Sequence, residues 1–103
     1  MIPEHMIKDA VIQVLKTIHD PEIPVNIYDL GLIYDIQVKD GEVHVVMTLT
    51  SPNCPVAETL PDEVLERIKM IESVKEASVQ LTFEPEWDES KLSDEAKLEL
   101  GML

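Results

Sequence analysis

Two alternating segments joined by Asp40-Gly41 place the strongest constraint on the fold of this chain. Apolar and polar side chains alternate over residues 32–39 and again over 42–50, which is the pattern of strands with one buried face. The Asp-Gly pair between them favours a two-residue hairpin turn, because both turn positions need a positive φ. The sequence therefore predicts an antiparallel hairpin whose apolar side must be covered by other elements.

Segments on both sides of the hairpin supply two helices and a third strand. Apolar residues recur at helical spacing over residues 4–18 and over 55–72, and alternation over 76–83 predicts another strand. Pro61 falls inside the second helical pattern, where its missing N–H predicts a kink or a break. Thr59 is placed to cap a helix that restarts there. The resulting element order is α-β-β-α-β.

The remaining segments are a loop and a tail. Residues 20–31 contain two prolines and a glycine, and they are rich in apolar side chains. This composition predicts an irregular loop that packs against the body of the molecule. The tail, residues 84–103, is predicted to be a strap that packs through Trp87 and has a solvated acidic outer face. Within it, Ser93 is a candidate cap for a short helix over 94–100.

These elements predict a two-layer α-β-β-α-β sandwich of the α+β class. A sheet with one apolar face needs helices on that face, and the two long helical segments supply them. We expect a small mixed three-stranded sheet and a short C-terminal helical tail. A length of 103 residues, 45% of them hydrophobic, fits one domain spanning residues 1–103.

The charge of the chain narrows its range of partners. It has 21 acidic and 8 basic residues, a formal net charge of −13, so its field repels nucleic acid and anionic membranes. Simple solubility, attraction of cations and docking to a basic protein surface all agree with that sign. No run is apolar and long enough for a membrane helix, the N-terminus does not resemble a signal peptide, and a lone cysteine forms no intrachain disulfide. The expected location is cytoplasmic.

Cys54 is the main candidate for chemistry. It lies between the second predicted strand and the second predicted helix, and Pro55 suits the first position of that helix. As the helix N-cap, a thiol there would face free backbone N–H groups and the positive end of the helix dipole. Both favour the thiolate, which binds metals and attacks electrophiles. A small buried hydrophobic side chain is the alternative role for a free cysteine, but a position between two prolines in a connection favours a functional thiol.

Other polar residues have ordinary roles open to them. Asp20 and Glu22 lie on a rigid turn and could hold a cation, but chemistry alone favours an Asx-turn at Asp20 and a solvated carboxylate at Glu22. Thr48 and Thr50 share one face of their strand. Their hydroxyls could donate hydrogen bonds to a thiolate or sulfide, but residue type alone favours plain β-branched strand residues. The three histidines, His5, His19 and His44, show no ligand spacing with Cys54.

Two segments resemble the signatures of a known family. Residues 20–34 (DPEIPVNIYDLGLIY) and 47–55 (MTLTSPNCP) are similar to those of the SufT/PaaD-like iron–sulfur cluster assembly domain family, and residues 87–101 resemble its usual C-terminus. The resemblance implies an α/β fold of this element order, often a homodimer, and a role in maturing iron–sulfur proteins. Its partners would be iron–sulfur assembly proteins and client apo-proteins.

The resemblance also implies a set of site residues. Carried over by position, the family's characteristic polar residues are Asp20, Glu22, Thr48, Thr50 and Cys54, with Cys54 as the metal ligand. Iron–sulfur clusters usually take about four protein ligands, mostly thiolates, whereas this chain has one cysteine. A cluster held here would therefore be labile, which suits a carrier and not an electron-transfer protein.

Three functions follow from these residues. The first is a non-enzymatic maturation factor that carries or transfers iron or a labile cluster to clients through Cys54. The second is an adaptor that binds no metal and recruits clients to the assembly machinery. The third is a thiol enzyme, which needs a base beside Cys54 that no histidine in the sequence is seen to supply. The first is our prediction, and the second is its alternative.

Overall fold

A computed structural model describes residues 3–19, 25–49 and 59–101. It confirms the α+β class and the predicted element order. The elements are α1 (Glu4–Leu15), β1 (Ile33–Lys39), β2 (Glu42–Met47), α2 (Leu60–Lys69), β3 (Glu76–Leu81), a 3-10 turn (Glu89–Lys91) and α3 (Asp94–Glu99).

The sheet has the strand order β1-β2-β3, with β2 in the centre. β1 pairs antiparallel with β2, and β3 pairs parallel with β2, so the predicted mixed sheet is confirmed. Asp40 and Gly41 have φ values of 53° and 82°, which confirms a hairpin turn that needs two positive φ angles. The parallel pairing requires a crossover, and α2 lies within it.

The core lies between one face of the sheet and the two long helices. Ile7, Val11 and Leu15 project from α1, and Val64 and Ile68 from α2, and all five are buried. Val25, Ile27 and Leu30 of the loop before β1 are also fully buried, together with Leu32 and strand residues including Val43, Val45 and Met47. The prediction of an apolar loop packed on the body is therefore confirmed for its described part.

Five elements end earlier than predicted. β2 stops at Met47 and not at residue 50, α2 at Lys69 and not at residue 72, and α3 at Glu99 and not at residue 100. α1 stops at Leu15 and not at residue 18, and the Thr17 hydroxyl donates to the Val14 carbonyl at 2.6 Å. That side-chain bond competes with the helical ladder, as threonine often does at a helix end. β3 stops at Leu81 and not at residue 83, although Thr82 N still donates to Met47 O at 2.8 Å.

Pro61 acts at the start of α2. The helix was predicted over residues 55–72, and its described part spans Leu60–Lys69 with Pro61 in the first turn. A proline costs little there, because the first helical N–H groups have no partner in the helix. Thr59 occupies the N-cap position as predicted, but its side chain makes no capping hydrogen bond. Residues 51–58 lie outside the described part of the chain.

The structure also gives a result on membrane insertion. Among the described residues, no helix combines the length and the apolar character that a bilayer crossing requires.

Candidate functional site

The predicted site residues divide into two groups. Asp20, Glu22, Thr50 and Cys54 lie outside the described residues, so the predicted N-cap position of Cys54 stays a prediction. Thr48 is described, and its surroundings show which elements meet at the point where the chain enters residues 50–58.

Thr48 directly follows the central strand and is completely buried. Its backbone N–H donates to Leu32 O at 2.8 Å, which ties it to the start of β1. Its hydroxyl Oγ1 has no hydrogen-bond partner among the described residues. Buried hydroxyls nearly always have a partner, and leaving one unsatisfied costs about 1–3 kcal/mol. A buried polar group of this kind calls for a partner that the described residues do not contain.

Tyr34 brings a second hydroxyl to this end of the sheet. Ile33 pairs with Met47 and Asp35 with Val46, so Tyr34 is the extra residue of a β-bulge. Bulges change the direction in which a side chain points and occur often beside functional sites. The Tyr34 phenol donates to Pro85 O at 2.7 Å.

The environment of Tyr34 changes its acidity. Partial burial raises the pKa of the Tyr34 phenol, and the nearby Asp88 carboxylate adds to that rise. The Thr48 hydroxyl opposes it, because it lies near enough to stabilise a phenolate, although no hydrogen bond joins the two neutral groups in the structure.

The tail packs as the predicted strap, and we call residues 84–101 the C-terminal strap. Half-buried Trp87 donates from Nε1 to Leu30 O at 2.6 Å. Lys91 places its Nζ 5.2 Å from the centroid of the Tyr34 ring, a distance at which a cation is attracted to the ring face. Gly31, with φ +80°, lies directly against the Lys91 backbone. The strap therefore holds both the loop before β1 and the bulge of β1.

Asp29 forms the second attachment of the strap. Its carboxylate accepts from Asn26 Nδ2 at 2.8 Å and from Ser93 Oγ at 3.1 Å. Ser93 N also donates to Asp29 O at 2.8 Å. Ser93 Oγ in turn accepts from Ala96 N at 3.1 Å, which confirms Ser93 as the N-cap of α3. One serine thus caps the last helix and binds it to the loop before β1.

The prediction about the histidines concerns Cys54, which lies outside the described residues, so it stays a prediction. The described ranges contain no group of three or more His, Cys, Asp or Glu side chains that is arranged to hold a metal. His44 lies on the outer face of the sheet, with Nδ1 2.7 Å from Ser78 Oγ and Nε2 3.4 Å from Gln80 Oε1.

Sequence reasoning missed the roles of Tyr34 and Asp29. The sequence predicts that Tyr34 is an ordinary strand residue, because the alternation of apolar and polar residues does not reveal a bulge. From the sequence, Asp29 is expected to form an Asx-turn, but the turn side chain is Asn26, whose Oδ1 accepts from Asp29 N and whose Nδ2 donates to the Asp29 carboxylate. The other partner of Asp29, Ser93, is 64 positions away in the sequence, so only the fold brings the two together. A signal was present in the run Asp29-Leu-Gly-Leu-Ile-Tyr34, which belongs to the first family signature.

Comparison with known proteins gives a consistent result. Residues 8–81 match the family described as iron–sulfur cluster assembly protein. An Fe-S protein maturation auxiliary factor of Porphyromonas gingivalis is 50% identical over 97 residues, which cover 93% of this chain and 92% of that protein. The maturation auxiliary factor YitW of Bacillus subtilis is 38% identical and covers 96% of this chain and 98% of its own. An iron-sulfur cluster carrier protein of Synechocystis is 32% identical over 74% of this chain, which corresponds to 22% of the carrier.

Solved structures share the fold. A domain of unknown function from Bacillus anthracis superimposes with a TM-score of 0.88 at 28% identity and covers 97% of this chain and 96% of that one. A conserved hypothetical protein from Thermotoga maritima gives a TM-score of 0.77 at 40% identity, with coverage of 91% and 93%.

Proposed function

Because this chain belongs to the iron–sulfur cluster assembly protein family, we propose that it is a maturation factor that carries or transfers iron or a labile cluster to client proteins through Cys54. Relatives that match nearly its whole length are named as maturation auxiliary factors, and a further relative is named as a cluster carrier. Its partners are then iron–sulfur assembly proteins and apo-protein clients. In this role iron is a cargo and the protein performs no catalysis of its own.

The observation that carries this proposal is the buried Thr48 hydroxyl. It is 0% exposed and has no partner among the described residues, and it lies six positions before the single cysteine. A hydroxyl hydrogen that needs an acceptor matches a thiolate, a sulfide or an iron-bound oxygen. Thr48 therefore supplies a hydrogen bond to the cargo, while Cys54 supplies the metal–sulfur bond.

The charge of the molecule supports a cationic cargo. A net charge of −13 on 103 residues raises the local concentration of Fe²⁺ and speeds its arrival. Asp20 and Glu22 add hard oxygen ligands in this proposal, and Thr50 adds a second hydroxyl. One thiolate per chain leaves most cluster positions to other donors, because clusters usually take about four protein ligands. The cargo is thus held weakly enough to leave.

Anaerobic titration with ferrous iron and sulfide tests the proposal. We expect the wild type to gain cluster absorption and bound iron in proportion to protein, and Cys54→Ala to gain neither. Thr48→Val keeps the shape of the side chain and removes the hydroxyl, and we expect it to weaken iron retention about tenfold, in the range seen for groups that support metal ligands. Thr48→Ser is the matched control and retains most of the binding.

The same titration separates carrier from adaptor. An adaptor predicts that neither wild type nor Cys54→Ala takes up iron, while both support client maturation in a deletion strain. If the Cys54→Ser variant supports client maturation as well as the wild type does, the thiol has no role in the mechanism.

A further inference from the structure

β3 is an edge strand of the sheet, and its hydrogen bonds to β2 show which of its backbone groups point outward. At the start of the strand, Glu76 N donates to Gly41 O at 3.4 Å. Just after its end, Thr82 N donates to Met47 O at 2.8 Å. Backbone groups along a strand point alternately to its two sides, so the even-numbered residues between these two bonds also face β2. The N–H and C=O groups that point away from β2 are therefore those of Ala77, Val79 and Leu81.

These outward groups form an unprotected edge. In the described part of the chain β3 pairs only with β2, and the three outward residues make no other backbone hydrogen bond there. Proline, lysine and bulges usually prevent a further strand from pairing at an edge, and the strand sequence EASVQL and its regular register contain none of them. The opposite edge, β1, is interrupted by the bulge at Tyr34. The free side of β3 is therefore the side of the sheet on which a partner strand can pair.

The side chains of β3 give such a strand an apolar side and a polar side. The three outward residues pair in register with buried residues of β2 and are themselves half-buried, whereas Ser78 and Gln80 are exposed on the outer face. A groove of about 420 Å³ lies beside this edge, where α2 is followed by β3, and it is lined by Lys69, Val74, Lys75, Glu76 and Ala77. An added strand would cover the half-buried residues with its own apolar side chains and leave its alternate side chains beside the outer face.

The charge of the chain indicates the chemistry of the partner. A net charge of −13 repels a second copy of this chain and attracts a positively charged segment. Glu76 lies at the start of the strand, and exposed Glu84 and Glu86 follow its end. Lys69 and Lys75 line the groove at the start of β3, so the attraction is strongest on the outer face and toward the end of the strand.

We propose that the outward edge of β3 is a docking site for an extended segment of a client protein in which apolar side chains alternate with lysine or arginine. The segment pairs with Ala77, Val79 and Leu81 as a fourth strand, so that backbone hydrogen bonds supply affinity and the alternating side chains supply specificity. The identity of the partner as a client rests on the proposed function, whereas the binding itself requires neither iron nor Cys54.

Amide hydrogen exchange of the apo-protein, resolved by NMR, tests this pairing. In the free protein we expect the amides of Ala77, Val79 and Leu81 to exchange fast and those of Ser78 and Gln80 to exchange slowly. A capped peptide in which lysine and valine alternate is expected to slow the three outward amides at least about tenfold at saturation and to leave the inward ones unchanged. In the matched control peptide glutamate replaces lysine, and we expect it to leave all of these rates unchanged.

A proline substitution tests the backbone contribution. Ala77→Pro removes an outward N–H and leaves the ladder with β2 intact, because proline is tolerated where the N–H of an edge strand faces solvent. We expect this variant to bind the lysine–valine peptide about tenfold more weakly, the effect of about one lost hydrogen bond. Ala77→Ser keeps the N–H and retains most of the binding. Circular dichroism checks that both variants fold.

A charge substitution tests the partner chemistry and leaves every backbone donor in place. Glu76→Lys is expected to weaken binding of the lysine–valine peptide about threefold at low salt, the size of an exposed ion pair, and by less at high salt. Asp9→Lys makes the same change in net charge on α1 and is expected to bind as the wild type does. If Ala77→Pro does not fold, equal binding by Glu76→Lys and Asp9→Lys overturns the inference.

Three results of the exchange experiment would overturn the inference. Slow exchange of the outward amides in the free protein at low concentration would show that the edge is already paired. Exchange that slows with protein concentration in the absence of peptide would identify a second copy of the chain as the occupant. Equal protection by the lysine and glutamate peptides would show that the partner is not selected by its positive charge.

Iron uptake and client maturation separate this inference from the proposed function. Ala77→Pro is expected to take up iron as the wild type does and to support less client maturation in a deletion strain than Ala77→Ser. Full client maturation by a folded Ala77→Pro overturns the docking site and leaves the carrier role in place. If the wild type takes up no iron, the carrier role fails, while the peptide experiment still decides the docking site.

Discussion

Gly31 is subject to the tightest backbone constraint that the structure shows. Its φ is +80°, and an added Cβ would overlap the Lys91 carbonyl group of the strap. Gly101 has a similar φ of +74° and open space around it, so it isolates the cost of the backbone conformation. We expect Gly101→Ala to cost about 1 kcal/mol and Gly31→Ala to cost at least about 2 kcal/mol more, in the range of strained overpacking.

Urea unfolding measures the loss of stability in both glycine variants. Trp87 is the only tryptophan and lies in the strap, so its fluorescence reports strap release, while circular dichroism reports the helices and sheet. Equal losses of stability in the two variants would contradict a steric role for Gly31.

The Thr48→Val substitution is predicted to have opposite effects on the stability of the protein and on iron binding. Removing a buried hydroxyl that has no protein partner relieves a desolvation penalty, so Thr48→Val is expected to raise the free energy of unfolding of the apo-protein by about 1 kcal/mol. The same substitution weakens iron retention in the proposed function. A loss of more than about 1 kcal/mol in Thr48→Val, measured by thermal and urea unfolding, would instead indicate a protein partner within residues 50–58.

Tyr34 makes the free energy of unfolding depend on pH, and the sign of that dependence follows from the pKa of its phenol. Burial first, and then the Asp88 carboxylate, raise the pKa of Tyr34 in the folded protein. The unfolded chain therefore releases this proton at lower pH than the folded one does. The stability that this group contributes is present below about pH 10, the ordinary tyrosine pKa, and is lost as the pH rises through the raised folded value.

Unfolding midpoints between neutral and alkaline pH check this prediction. We expect the wild type to lose more stability above about pH 10 than Tyr34→Phe does, since phenylalanine does not titrate. An identical alkaline loss in the two proteins would assign the effect to other groups.

At the level of single residues, the sequence and the fold give different information. Thr48 was found through the family signature, and its buried position fits a site role, while its part in binding stays a prediction. Tyr34 and Asp29 were not found, because a bulge and a contact across 64 positions depend on three-dimensional pairing. Asp20, Glu22, Thr50 and Cys54 remain predictions of the sequence.

Helix capping makes a prediction about α3 as an element. Ser93 caps α3 and also binds the Asp29 carboxylate, whereas Thr59 occupies the N-cap of α2 without a capping bond. We expect Ser93→Ala to cost about 1–2 kcal/mol of strap stability, the upper half of the usual cap range, and Thr59→Ala to cost less than about 0.5 kcal/mol.

Hydrogen exchange of the α3 amides resolves this comparison, because it measures local opening. Faster exchange confined to α3 in Ser93→Ala is the expected result. A similar effect of Thr59→Ala on α2 would show that its hydroxyl caps the helix in solution.

The elements themselves were largely predictable, and their ends were not. Alternation around Asp40-Gly41 located the hairpin, because the turn residues and the strand pattern agree. α2 was predicted with Pro61 in its interior, whereas its described part has Pro61 in the first turn. Residues 55–58 lie outside the described part of the chain, so the first part of the predicted helix stays a prediction. A proline is better evidence for a helix start than for a kink when a threonine precedes it by two positions.

For the molecule as a whole, charge opposes self-association in the absence of cargo. Each chain carries a net charge of −13, so two copies repel each other at low salt, and the repulsion falls as the Debye length shortens. The family resemblance implies a homodimer. In such a dimer, a group that both copies bind would have to offset this repulsion. A cationic metal centre is such a group.

The ligand requirement of a cluster leads to the last prediction. One chain has one cysteine, and two chains supply two thiolates toward about four ligands. We expect the apo-protein to be monomeric and the loaded protein to be a dimer with one cluster per two chains. Anaerobic size-exclusion chromatography with light scattering gives the mass, and iron and sulfide analysis gives the stoichiometry.

Cys54→Ala should stay monomeric under loading conditions, whereas a Cys54→Ala dimer would assign association to another surface. A loaded monomer with one cluster per chain would show that exogenous thiols complete the ligand set, and Cys54 of a second copy would then have no part in holding the cargo.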